Sequence, residues 1–108
     1  MQNPMTFRNF SGKSGATYLF GQANPNDPTT LPMQGGMFIF AKDKSNDIDI
    51  IYIGEADSIY GEIINTTLWN TAKLQYGADL IFGRPRPDPL ARAAEARDLI
   101  AQWTPPMN

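Results

Sequence analysis

The chain has 108 residues, 42% of them apolar and 19% charged, and nine basic against eleven acidic side chains leave a net charge of −2. That length holds one hydrophobic core, so a single domain over residues 1–108 is expected, and the composition excludes wholesale disorder. The absence of Cys and His excludes disulfides, thiolate metal sites and an imidazole general base.

No apolar run approaches the roughly 20 residues that cross a bilayer. The start, Met1 to Arg8, has neither a basic opening nor an apolar core, so no secretory leader is expected. The expectation is a soluble, cytoplasmic protein with no membrane partner.

Two aromatic-rich runs, Thr6 to Phe10 and Ala16 to Phe20, flank Ser11-Gly12-Lys13-Ser14-Gly15 and predict an N-terminal β-hairpin. The Gly-Lys-Ser in that loop lacks the leading glycine of a phosphate-binding loop, since Phe7 stands there, and it joins two strands rather than a strand and a helix. It reads as a turn. Three prolines among polar residues make Gln22 to Gln34 an irregular connection.

Gly36 to Ala41 and Ile48 to Ile53 are strand-like and joined by the polar loop Lys42 to Asp47. Simple alternation puts Ile48, Ile50 and Tyr52 on one face and Asp49, Ile51 and Ile53 on the other. After Gly54 the period becomes helical. Asp57 or Ser58 caps a short helix bearing Ile59, Ile63 and Ile64. A second helix is expected over Leu68 to Tyr76, stopped by Gly77. Ala78 to Phe82 predicts a short strand, and Gly83 to Pro87 a loop. Asp88 then caps a helix with Pro89 in its first position, running to about Trp103 before Pro105-Pro106. The fold class is therefore α+β: a small antiparallel or mixed sheet with an N-terminal hairpin and two or three packed helices.

Charge is segregated. Asp43 to Glu62 carries Asp43, Asp47, Asp49, Glu55, Asp57 and Glu62 against Lys44 alone. Gly83 to Arg97 carries Arg84, Arg86, Arg92 and Arg97 against Asp88 and Glu95. The Arg84-Pro-Arg86-Pro stretch offers a basic patch for phosphate or an acidic protein surface, or plain solvated charge. The carboxylates after Gly54 suit a solvated helix start, with Asp57 favoured by the helix dipole, or a surface for a basic partner or a second cation.

Gly36-Met37-Phe38 and Tyr52-Ile53-Gly54 on adjacent strands, a helix after the second, Glu95 on a later helix and a closing Pro105-Pro106-Met107-Asn108 resemble the GIY-YIG nuclease superfamily. The N-terminal hairpin is similar to that of its small stand-alone bacterial or phage-type members. The resemblance implies phosphodiester hydrolysis with one weakly held divalent cation, Mg²⁺ or Mn²⁺, on Glu95. It implies that Tyr52 helps to activate water, while an arginine on the helix after the second triplet steadies the phosphate. Asn108 matches the family's terminal asparagine.

Three motif positions are substituted. Phe38 stands where the first triplet offers a tyrosine, Glu62 where the family carries its arginine, and Thr66 at or near a frequent histidine. Losing one preorganised donor costs about 10²–10³ in rate, and glutamate for arginine sets a negative charge beside an anionic substrate. Arg84, Arg86 or Arg92 would have to reach in as a relocated arginine.

The expectation is a degenerate domain that binds nucleic acid through its arginines or a protein partner through its acidic side. The alternatives are a metal-dependent endonuclease and an acidic module that imitates nucleic acid to inhibit another protein. Plainer roles stand beside these: Tyr52 as a strand aromatic, Glu95 as an ion-pair partner of Arg92 at helical spacing, and Trp69 and Trp103 as core residues.

Overall fold

The computed structural model describes residues 6–45 and 47–108. The chain runs β1 (Phe7–Ser11), β2 (Thr17–Ala23), a 3₁₀ turn (Pro28–Thr30), β3 (Gly36–Lys44), β4 (Asp47–Ala56), α1 (Ile59–Asn65), α2 (Leu68–Tyr76), β5 (Leu80–Pro85) and α3 (Pro89–Trp103). The strands form one antiparallel sheet in the order β1-β2-β5-β3-β4. The α+β class is as expected. Strand β5 reaches Pro85, however, so Arg84 belongs to the sheet rather than to a loop.

The sheet buries both faces along its inner strand β3. Along β3, Met37, Ile39 and Ala41 join Phe10, Phe20, Ile48, Ile50, Ile53, Phe82, Ala96 and Leu99 on the side covered by α3. Phe38 and Phe40 join Ile51, Ile59, Ile63, Ala72 and Ile81 on the side covered by α1 and α2. Period-two alternation therefore sorts β3 cleanly between two cores. Strand β4 departs from it. Phe40 pairs with Tyr52 but Ala41 pairs with Ile50, so one extra β4 residue, Ile51, bulges at this point. The bulge flips the parity: Ile48 and Ile50 share the α3 side with Ile53, whereas Ile51 and Tyr52 face α1 and α2. Simple alternation across Ile50 to Tyr52 is thus corrected by a β-bulge.

Local chemistry sets the helix ends. The Ser58 hydroxyl accepts from the Gly61 N–H at 3.0 Å and caps α1. Asp57, the other candidate cap, is engaged elsewhere. Gly77, at φ 75°, closes α2 in the left-handed conformation that glycine adopts without strain. The Asp88 carboxylate accepts from the Leu90 N–H at 3.1 Å, with Pro89 in the first turn of α3.

Two glycines of the paired triplets are steric necessities. A Cβ on Gly36 would collide with the Arg84 carbonyl oxygen and Ile59, and one on Gly54 with the Phe38 and Tyr52 rings.

Beyond α3 the chain turns back along β4. The Met107 N–H donates to the Ile51 carbonyl at 3.0 Å. The Asn108 carboxamide accepts from the Ile53 N–H at 2.9 Å and donates to the Ile53 carbonyl at 2.8 Å. That side chain imitates a neighbouring strand and satisfies an outer edge that would otherwise invite pairing. Trp103 is not a core residue. It is exposed, and its indole donates to the Ser11 carbonyl at 2.9 Å.

Candidate functional site

Helix α3 carries charge along the flank it turns to the sheet. Glu95, with only 13% of its side chain exposed, lies between two arginines of the β5 end: Arg84 Nε donates to Oε1 and Arg86 Nε to Oε2, each at 3.0 Å. Arg84 also donates to the Leu19 carbonyl at 3.3 Å and stacks over the Tyr18 ring at 5.6 Å. Three residues earlier on the helix, the buried Arg92 donates to Glu55 at 3.0 Å, to the Asp57 carboxylate and to the Pro87 carbonyl at 3.3 Å. The Asp57 and Glu55 carboxylates hold this guanidinium still further on the charged side.

The expected Arg92–Glu95 pair on the helix does not form. Each of the two reaches to a strand end instead, because the β5 end carries arginines and the β4 end carboxylates.

Tyr52 is on the other side of the sheet. It packs against Phe38 and Phe40, with ring centroids 5.8 and 5.9 Å away. Burial, and then the charge of Glu62, pushes its hydroxyl pKa up, so at neutral pH it is a phenol and not a base. Phe38 is buried in the same aromatic cluster. Thr66 follows α1 and its hydroxyl accepts from the Leu68 N–H at 3.4 Å. Asn108 is spent on the β4 edge.

The structure therefore brings Arg84, Arg86 and Glu95 together, and Arg92 with Glu55 and Asp57, but it separates Tyr52 from Glu95 by the thickness of the sheet. An open depression of about 550 Å³ lies beside the second triplet, lined by Glu55, Asp57, Ser58, Glu62, Asn65 and Arg92 among others. Neither Tyr52 nor Glu95 lines it. Arg92 and Glu62 share it, with the arginine already bound to two carboxylates.

A divalent cation does not fit the residues around Glu95. Both carboxylate oxygens receive guanidinium hydrogen bonds, and two flanking positive charges repel a metal ion. Among the described residues no group of three or more acidic, His or Cys side chains is placed to hold one.

The sequence reading missed Asp98, which organises the other end of α3. Its carboxylate accepts from the Ser14 N–H at 2.9 Å and from the Ser14 and Tyr18 hydroxyls at 2.7 Å each, while its carbonyl accepts from the Lys13 N–H at 3.1 Å. The Ser14 hydroxyl, then that of Tyr18, holds the Asp98 carboxyl below the usual carboxylate range. The Gly12-Lys13-Ser14 turn is thus docked on this helix, and a Cβ at Gly12 would displace Asp98. The available signal was the helical spacing of Arg92, Glu95 and Asp98, one polar stripe beside the buried Ala96 and Leu99.

No family model, curated protein or solved structure matches this chain.

Proposed function

We propose that this chain is a GIY-YIG-like domain whose hydrolytic site has been dismantled, and that it acts by binding a protein partner rather than by cleaving or holding nucleic acid. The outline that supports the family reading is geometric. Gly36-Met37-Phe38 and Tyr52-Ile53-Gly54 lie on paired neighbouring strands and meet at one pair, Phe38 opposite Gly54. Helix α1 follows directly, Glu95 sits on the last helix, and the terminal Asn108 grips the second triplet at Ile53.

One observation carries the functional half: Arg84 and Arg86 engage both carboxylate oxygens of Glu95. The same contact takes away the metal ligand and the cations that would have met phosphate. With Arg92 held by Glu55 and Asp57, the three arginines expected to touch nucleic acid are matched by three carboxylates within the molecule. Sequence-independent nucleic-acid binding rests on free cations that release counterions, and a net charge of −2 supplies no general attraction.

The test is fluorescence anisotropy with labelled single-stranded and duplex DNA and RNA at two salt concentrations, in Mn²⁺, followed by a denaturing gel. The expected outcome is no salt-steep binding and intact oligonucleotides. Affinity that collapses as salt rises, or product that disappears in Glu95→Gln, contradicts the proposal.

A further inference from the structure

The two edges of the sheet are finished differently. On β4, Met107 and Asn108 occupy the backbone of Ile51 and Ile53, and the Asp47 carboxylate accepts from the Ile48 N–H at 2.8 Å. Strand β1 lies at the other end of the strand order, where, among the described residues, its one strand neighbour is β2. The Gln22 N–H donates to the Thr6 carbonyl at 2.7 Å and the Gly12 N–H to the Ala16 carbonyl at 2.8 Å. With the register of Arg8 on Phe20 and Phe10 on Tyr18, the even-numbered residues turn their backbone groups toward β2. Phe7, Asn9 and Ser11 therefore point theirs outward. The Ser11 carbonyl is taken by the Trp103 indole. Among the described residues, the N–H and C=O of Phe7 and Asn9 have no partner.

The side chains beside this edge differ by face. Phe7 is 58% exposed, and Leu19, opposite Asn9 in the register, is 47% exposed. Both lie on the sheet side away from Phe10 and Phe20, beyond the cover of α1 and α2. Arg8 projects on the α3 side. Its nearest anion is Asp47 at 3.9 Å, at the start of β4, so the curl of the sheet brings that end of the far edge within reach of Arg8; the two side chains are 46% and 81% exposed. A pair so open to water is weak and easily exchanged.

We propose that β1 is a docking edge for an extended segment of a partner protein that adds as a sixth strand, with an acidic residue opposite Arg8 flanked by apolar residues. Main-chain bonds to Phe7 and Asn9 supply register, and alternate side chains supply selectivity. The partner residues opposite Phe7 and Asn9 fall on the face of Phe7 and Leu19, so apolar groups suit them. The residue between them stands in a non-hydrogen-bonded pair with Arg8, where side chains approach most closely and opposite charge is favoured.

A second copy of the chain fits less well in either antiparallel register. Centring the pair on Asn9 requires the Ser11 carbonyl that Trp103 already occupies. Centring it on Arg8 sets two arginines side by side.

This inference rests on the protein-binding reading above and names its surface; the oligonucleotide test of that reading uses neither the probe nor the variants below, so each fails separately. The experiment titrates the isotope-labelled domain with the blocked peptide Thr-Val-Glu-Val-Thr and follows its amide spectrum. The Phe7 and Asn9 amides are expected to shift and gain protection from exchange, and the peptide Thr-Val-Lys-Val-Thr is expected to bind roughly twofold to fivefold more weakly.

Arg8→Glu is expected to reverse that preference. Asn9→Pro removes one outward N–H at an edge position that tolerates proline, and is expected to abolish the shifts while the rest of its spectrum stays native. Absence of β1 shifts at millimolar peptide overturns the proposal, as does unchanged binding by a folded Asn9→Pro. Sedimentation showing a dimer that Asn9→Pro dissolves also overturns it, by making the occupant a second copy.

Discussion

Arg92 and Glu95 stand three residues apart on α3 yet do not touch: the arginine is held by Glu55 and Asp57 of the β4 end, and the glutamate by Arg84 and Arg86 of the β5 end. Each helix charge ties down a strand end of opposite sign. This crossing of charges fastens α3 to both strand ends.

Replacing Glu95 with Gln removes the negative charge between two arginines that are each partly screened from water. The variant is expected to lose about 1–2 kcal/mol of stability, the cost of weakening two charge-assisted hydrogen bonds at a partly buried site. It also frees two cations, so its affinity for oligonucleotides should rise above that of the native chain and fall with salt. Denaturant melts and anisotropy check the two halves. A Glu95→Gln variant as stable as the parent would show the clamp to be idle.

Removing the Asn108 side chain opens the β4 edge. Asn108→Ala is expected to cost about 1–2 kcal/mol for the two lost hydrogen bonds to Ile53 and to raise the tendency to associate through that edge. Thermal melts combined with light scattering at several concentrations measure both. Stability should fall independently of concentration, and association should grow with it.

Acid should loosen the N-terminal hairpin first. Asp98 is held below the usual carboxylate range by the Ser14 and Tyr18 hydroxyls. A depressed carboxyl contributes stability that is fully present above the unfolded pKa of about 3.9 and is lost as pH falls through the folded value. Amide shifts of Lys13 to Tyr18, followed from neutral pH to below 3, should move in that acid window while the β3–β4 ladder holds. Asp98→Asn should remove the pH dependence of those amides. A hairpin indifferent to that substitution would exclude the docking role.

The first-triplet glycine should be less replaceable than its backbone conformation suggests. A Cβ on Gly36 meets the Arg84 carbonyl oxygen, and backbone in a central strand pair yields poorly. Gly36→Ala is expected to cost about 1–3 kcal/mol, in the range of core overpacking. Tyr52→Phe should stay within about 0.5 kcal/mol, as a change of one phenol oxygen with no hydrogen-bond partner among the described residues. Equilibrium unfolding of both variants gives the comparison directly.

What could be read from the chain was local. Asp88-Pro89, Gly77 and Ser58 announce helix ends through capping chemistry that acts within a few residues, and the apolar runs of β3 and β4 announce a hairpin. The placing of β5 between β2 and β3 depends on contacts far apart in sequence, and no local pattern encodes it. The bulge at Ile51 was hidden because Ile50 and Ile51 are both apolar, so either parity looks acceptable until the sheet pairs. At the site, the residues Glu95, Arg84, Arg86 and Arg92 were each visible, but their partners were not. Helical spacing favoured Arg92 for Glu95, and only the approach of two strand ends to α3 reassigns both. Tyr52 and Glu95 were joined in one site by the resemblance alone, and no local pattern tells that α3 covers the side of the sheet opposite to the one Tyr52 packs on.

The central claim is that Glu95 belongs to its arginines and not to a metal ion. Its most direct measurement is a Mn²⁺ titration of the isotope-labelled domain, following paramagnetic broadening of amide signals along α3 and β5. The account predicts no saturable broadening centred on Glu95 in the native chain, with residual effects at exposed carboxylates such as Asp57. Saturable broadening around Glu95 that vanishes in Glu95→Gln would contradict it.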